Sequence, residues 1–284
     1  MLPFLPFFDS SAAQTVGGYV GPGDVATAQG ISQATYFWGL RAYNKTKAAA
    51  RVNCVDLVDQ AFANPITITV LPTGALDIAS INTWVTAHTV TTIRVAKVYE
   101  QMGSGSDLAP ANALNNQMPI LDISGLPHAD FTGVTILQSG GFSGTALPTT
   151  ITIPFTISQV LNNDPTNNSL FITYTDATVA ALAAKTNVLV MYDNGFGTPD
   201  LTNVNNFAGY QATYNGASSV LNVNGTDNAQ NLAGTGNIAS GSKYRWSSAT
   251  PTFKIRETSI FQVNFSTANS VAMNANQKAF WGYP

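Results

Sequence analysis

Residues Tyr210–Thr226 read YQATYNGASSVLNVNGT. Two asparagine–glycine steps, Asn215-Gly216 and Asn224-Gly225, bracket Ser218–Val223, which is long enough for one short strand. Asn-Gly tolerates positive φ at both central turn positions, and the resulting turns match the right-handed twist of paired strands. Ala212 and Tyr214 alternate before the first turn, and Val220, Leu221 and Val223 supply apolar β-formers after it. The stretch predicts an antiparallel meander.

Working outward, most of the chain beyond residue 120 repeats this pattern. Ile151, Ile153, Phe155 and Ile157 alternate, as do Leu170, Ile172 and Tyr174, then Val188, Val190 and Tyr192. Phe253 with Ile255, and Phe261 with Val263 and Phe265, complete the set. Asp176–Lys185 reads as a helical turn between strands. Earlier, Ile66, Ile68 and Val70 alternate as a strand, and Thr92–Tyr99 returns to strand. Ala48–Ala63 predicts a short helix from Val52, Val55 and Val58 near helical spacing. Asp77–Ala87 predicts a second helix, with Ile78, Ile81 and Val85 on one face and Asp77 as its cap. Gly21-Pro22-Gly23 reads as a turn. Strands separated by Gly, Asn and Pro turns favour a mostly β, antiparallel sandwich over a parallel sheet.

Composition narrows the partners. Only 10% of the 284 residues are charged, against roughly 25% in an average soluble domain. Such a surface suits β-structure packed among neighbours, as in an assembled particle or an extracellular protein. A net charge of −3 gives no basic face for nucleic acid. The main basic cluster, Arg41, Lys45, Lys47 and Arg51, reads as a solvated face or a contact with an acidic neighbour. Cys54 is the only cysteine, which excludes an intramolecular disulfide and reads as a buried, inert thiol. No zinc motif or cofactor motif is present. The opening MLPFLPFFDSSAAQ is apolar but lacks a basic start and is broken by Pro3 and Pro6, so neither a signal peptide nor a spanning helix is expected. An arm over residues 1–35 is expected, burying Phe4, Leu5, Phe7 and Phe8 against a partner or back on its own domain. Residues 36–284 form the sandwich.

Segments spread along the chain resemble the concanavalin A-like, laminin-G-like domains of bacteriophage virion proteins, a pattern shared with the arabinofuranosidase B catalytic domain. They are Gly39-Leu40-Arg41, Gly74-Ala75-Leu76-Asp77, the run Val98–Gly105 (VYEQMGSG), Gln117-Met118-Pro119-Ile120, and Phe131-Thr132-Gly133. The close from Arg256-Glu257 to Asn276-Gln277-Lys278-Ala279-Phe280-Trp281-Gly282 completes them. The resemblance implies a jelly-roll-like sandwich. It departs from the family at Glu100, Met102 and Thr132, where the family carries Asp, Ser and Asp, and it lacks the vicinal cysteine pair of arabinofuranosidase B-type enzymes.

Two classes of function follow. The first is a non-enzymatic virion component, a head decoration, collar, tail or fibre protein. It would dock to other virion subunits, form a homo-oligomer, and bind a host-surface glycan weakly as an additional ligand, with no membrane insertion. The second is a glycan-cleaving enzyme of arabinofuranosidase-like type or a free lectin. A glycosidase needs two carboxyl groups, and Glu100 and Glu257 are the only glutamates. Both read more readily as structural, and no catalytic residue is assigned. Tyr99, Glu100, Gln101 and Trp246 are the candidate ligand-binding residues. Trp84, Trp246 and Trp281 are candidate sugar-stacking rings, although tryptophans at such positions more often pack in a core. Asp193 and Asn194 offer turn oxygens of the kind that bind an ion, but no metal is assigned.

Overall fold

The computed structural model describes residues 18–111, 118–132, 136–139, 141, 145–163, 173–175, 181–185, 188–192, 201–202, 206–232, 236–246 and 252–284. The first half carries α1 (Pro22–Ala28), β1 (Tyr36–Gly39), α2 (Lys45–Ala49), β2 (Asn53–Val58), β3 (Ile66–Thr69), α3 (Ile78–His88) and β4 (Arg94–Val98). Next come β5 (Leu108–Pro110), β6 (Ile120–Asp122), β7 (His128–Thr132), β8 (Leu137–Ser139) and β9 (Phe155–Asn163). Then follow β10 (Thr173–Thr175), β11 (Ala181–Lys185), β12 (Val188–Tyr192), β13 (Leu201–Thr202), β14 (Ala208–Tyr214), β15 (Ser219–Val223) and β16 (Thr226–Gln230). The chain closes with β17 (Tyr244–Trp246), β18 (Thr252–Phe261) and α4 (Thr267–Trp281).

Every ladder between these strands is antiparallel. One layer runs β16–β15–β14–β9–β18, with β1 and β7 sharing the far edge of β18. The other runs β3–β2–β4–β5–β8–β17–β10–β11–β12–β13. β6 joins the two by pairing with both β7 and β4. The predicted antiparallel sandwich is therefore the observed architecture.

The meander forms as the asparagine–glycine steps require. Val223 pairs with Thr226 across a two-residue loop, and Asn224 and Gly225 both take positive φ, 50° and 89°. That conformation demands residues without a β-branch. The first step differs: Thr213 pairs with Val220, so a longer loop intervenes in which Gly216 takes φ 56°.

The core lies between the layers. Trp38 of β1 stacks on Tyr244 of β17 with centroids 5.1 Å apart, and Tyr36 stacks on Trp38 at 5.6 Å. Phe131 and Phe253, paired across β7 and β18, stack at 4.6 Å. Each such aromatic pair adds about 0.5–1.5 kcal/mol beyond its buried area. A second apolar cluster (Val25, Phe37, Tyr43, Phe261, Phe265, Met273) lies on the outer side of the first layer, where α1 and α4 cover it.

Several local expectations change. Pro22 stands at the first position of α1, where its missing N–H costs nothing, so Gly21-Pro22-Gly23 starts a helix. The expected Ala48–Ala63 helix is only the five residues of α2, followed by β2. Arg51 takes φ 51° and breaks the helix, and the Val- and Leu-rich text beyond it pairs with β3 and β4. Ala181–Lys185 is strand β11, because pairing with β12 overrides the helix propensity of alanine. Ile151 makes only an isolated bridge to Ile238, and β18 ends at Phe261. The Asp77-capped helix is found as α3, where the Asp77 carboxylate accepts the Ser80 N–H at 3.1 Å. Among the described residues, no helix is long and apolar enough to cross a membrane.

Candidate functional site: an acidic cross-strand face

Several residues from the first and last of the resembling segments meet at one buried carboxylate. Glu257 of β18 and Arg41, just after β1, are both fully buried and pair at 2.5 Å and 2.9 Å through Nε and Nη2. Gln277 and Trp281 of α4 donate to the same carboxylate at 2.9 Å and 2.8 Å. Asn276 accepts from Arg41 at 3.0 Å and donates to the Val20 carbonyl at 2.7 Å. Gly209 permits this seating: a Cβ there would lie 2.3 Å from Asn274 Oδ1 and 2.4 Å from the Tyr283 hydroxyl. The cluster clasps α4 to the sheet.

Glu100 is a second organising carboxylate. It is buried after β4 and accepts from the Phe37 N–H (3.1 Å), the Met102 N–H (2.7 Å), and both the N–H and hydroxyl of Ser104 (2.8 Å each). Gln101 is also buried. It accepts from the Tyr43 N–H at 2.9 Å and donates to the Arg41 carbonyl at 2.8 Å. Trp246 lies in the core, its indole N–H donating to Thr258 at 3.1 Å. Trp281 is buried in the clasp, whereas Trp84 lines a cleft beside α3. Phe4, Leu5, Phe7, Phe8, Asp193 and Asn194 lie outside the described residues. Among the described residues, no group of three His, Cys, Asp or Glu side chains is placed to hold a metal. Cys54 is buried, which raises its thiol pKa, and it donates to the Gly39 carbonyl at 3.0 Å.

Of the four sequence-named ligand residues, Tyr99 reaches a partly exposed face. Thr67, Asp56 and Lys97 stand in register across β3, β2 and β4. Thr67 donates to Asp56 at 2.6 Å, and the Tyr99 hydroxyl lies 3.0 Å from both Asp56 oxygens. Lys97 Nζ is 3.9 Å from Asp56 Oδ2 and 3.9 Å from Asp107 Oδ2. Those two oxygens are therefore no further apart than twice that distance. Asp107 is fixed from behind by the Glu100 N–H at 2.8 Å, so the loop folded by Glu100 delivers it to the face. Sequence reasoning missed Asp56, Lys97 and Asp107, because their meeting depends on the β2–β4 register.

Burial dominates the electrostatics of Asp107 and Tyr99. Burial raises the Asp107 pKa, while the Glu100 N–H and Lys97 pull it back. Burial and the adjoining Asp56 push Tyr99 up to about 12, so its phenol stays a donor at neutral pH. The face combines acceptor carboxylates, an ammonium, a phenol and a hydroxyl. Those groups can grip vicinal hydroxyls, and two carboxyl groups at this range are also the minimum for acid–base work.

No family model matches the chain, and no curated protein matches it. Among solved structures it is similar to a GH54 α-L-arabinofuranosidase soaked with a cyclic sulfate inhibitor (14% identity). It is likewise similar to an arabinofuranosidase complexed with arabinofuranosyl-α-1,2-xylobiose (11%), and to a Glu-to-Gln variant of a GH54 enzyme soaked with 4-nitrophenyl α-L-arabinofuranoside (13%). Each has a TM-score of 0.68 over 92% of this chain. The chain spans 66%, 65% and 66% of their lengths. At these identities the likeness establishes the fold. It also corrects the expectation of a protein without catalytic function, since nearly the whole chain follows an architecture found in glycosidases.

Proposed function

We propose that this protein recognises glycans, using the acidic cross-strand face of an arabinofuranosidase-like sandwich. The observation that carries the reading is the partly exposed set of Asp56, Lys97, Tyr99 and Asp107 on a fold whose solved neighbours act on arabinofuranosides. The carboxylates accept from sugar hydroxyls, Lys97 and Tyr99 donate, and the Tyr99 ring offers a flat apolar edge. A glycan array on the whole protein, repeated with Asp56→Asn and Tyr99→Phe, tests it. Binding to defined glycans that falls in both variants supports the reading, and an empty array overturns it.

Hydrolysis is the second reading, favoured by the two carboxyl groups that Lys97 gathers on one face. Asp107, whose pKa burial raises, is the acid toward a leaving oxygen, and Asp56, hydrogen-bonded to Thr67 and Tyr99, is the group that orients water. Release of 4-nitrophenol from aryl arabinofuranosides, abolished by Asp107→Asn, is the expected result. No release by the wild-type protein refutes this step without touching the binding reading. A place on a bacteriophage particle, alongside other virion proteins and further copies of the chain, belongs to the same proposal. It is supported by the sequence resemblance and the low charge, and proteomics of purified particles tests it.

A further inference from the structure

Helix α3 lies beside β3, and the two border a shallow, solvent-open cleft of about 550 Å³. Its walls include Ile66 of β3 and, from α3 and its cap, Asp77, Ser80, Thr83, Trp84 and Ala87. The helical residues recur every three to four positions and so form one face. Ile66 and Thr67 are successive strand residues and project to opposite sides. The cleft therefore lies on the other side of β3 from the acidic face that Thr67 joins.

The chemistry of the walls is specific. Ile66, Ala87 and Trp84 supply an apolar surface. The Trp84 indole N–H is already given to the Asn64 carbonyl at 2.9 Å, so the ring offers only its apolar edge. The polar groups are acceptors with their own hydrogens spent. Ser80 Oγ donates to Asp77 Oδ2 at 2.9 Å, and Thr83 Oγ1 donates to the Ala79 carbonyl at 3.0 Å. Both hydroxyls keep free lone pairs. Arg51, half exposed, lies 3.3 Å from Asp77 and cancels its charge. A cleft without net charge does not select an anion or a metal ion. Acceptors around an apolar wall match a ligand with many O–H donors and a C–H face.

We infer that the cleft between α3 and β3 is a second carbohydrate site, taking one neutral sugar residue with its C–H face toward Ile66 and Trp84. The inference is independent of the acidic face. The test is saturation-transfer NMR on the full chain with L-arabinose, D-xylose, D-galactose and D-glucose. Ala87→Trp, an exposed helix position, fills the cleft, and Ser80→Ala removes one acceptor while keeping the capped N–H. At least one sugar is expected to bind the wild type and to bind Ala87→Trp about tenfold more weakly. Ser80→Ala, with unchanged circular dichroism, weakens it as well and decides the matter if Ala87→Trp does not fold. The inference is overturned if no sugar in the panel binds, or if both cleft variants bind as the wild type does.

Discussion

Replacing Glu257 by glutamine keeps the shape of the side chain and removes its charge. The Glu257 oxygens are fully committed: Oε1 accepts from Arg41 Nη2 and Gln277, and Oε2 accepts from Arg41 Nε and Trp281. Whichever way the new amide turns, its NH₂ faces two donors, so two hydrogen bonds are lost and donors are opposed. Arg41 is left charged and fully buried, with Nη1 already lacking a partner. Breaking a buried pair in this manner costs about 3–5 kcal/mol, at least a fifth of a typical total stability of about 5–15 kcal/mol. At roughly 2–4 °C per kcal/mol for a domain of this size, Tm falls by about 6–20 °C. Urea unfolding followed by tryptophan fluorescence and circular dichroism reads the change directly. A loss below about 1 kcal/mol for Glu257→Gln refutes the reasoning.

Three further outcomes follow from the geometry. Asp107→Asn raises stability at neutral pH: burial lifts the folded-state pKa, so the ionised carboxylate costs stability as pH rises through that window, and the neutral amide still accepts from the Glu100 N–H. Denaturant midpoints near pH 7 and near pH 4 check it, with the gain expected only at the higher pH. His128 is held below its usual range chiefly by burial, with Lys254 and Arg256 acting in the same direction and Asp122 against them. The unfolded chain therefore binds its proton first, and stability declines as pH falls below about 6.5; His128→Gln flattens that slope in pH-dependent melts. Gly209→Ala drives a methyl into Asn274 and Tyr283 beneath α4 and costs about 1–3 kcal/mol, read as earlier hydrogen exchange in α4 than in β9.

The fold was legible where local chemistry and global pairing agree. Asn224-Gly225 has few other uses than a tight hairpin turn, and Asp77 ahead of a periodic apolar run has few other uses than a cap. The C-terminal helix α4 was not legible, because its text TANSVAMNANQKAFW has little apolar periodicity. It packs through Asn274, Gln277 and Trp281 onto polar groups of the sheet, a partner that no helical pattern announces. The acidic face was hidden for a related reason. Asp56 sits in text that also reads as helix, and its neighbours Thr67 and Lys97 are fixed only by cross-strand register. Asp107 arrives through a loop whose shape depends on Glu100 meeting the Phe37 backbone, a contact between residues 63 positions apart.

That arrangement explains why a resemblance in sequence predicts the sandwich better than it predicts a ligand. Arg41, Glu257, Gln277 and Trp281 come from widely separated segments and meet at one carboxylate from which solvent is excluded. Changing any one of them leaves a buried donor, acceptor or charge unmatched, at a cost of several kcal/mol. The same residue types are therefore required wherever this helix is clasped to this sheet, whatever the protein binds. Asp56, Lys97 and Tyr99 carry no such obligation, since each is partly exposed and water can replace its partners. Glu100 links the two sets: it is locked into the core on one side and, through the loop it folds, sets Asp107 beside Lys97 on the other.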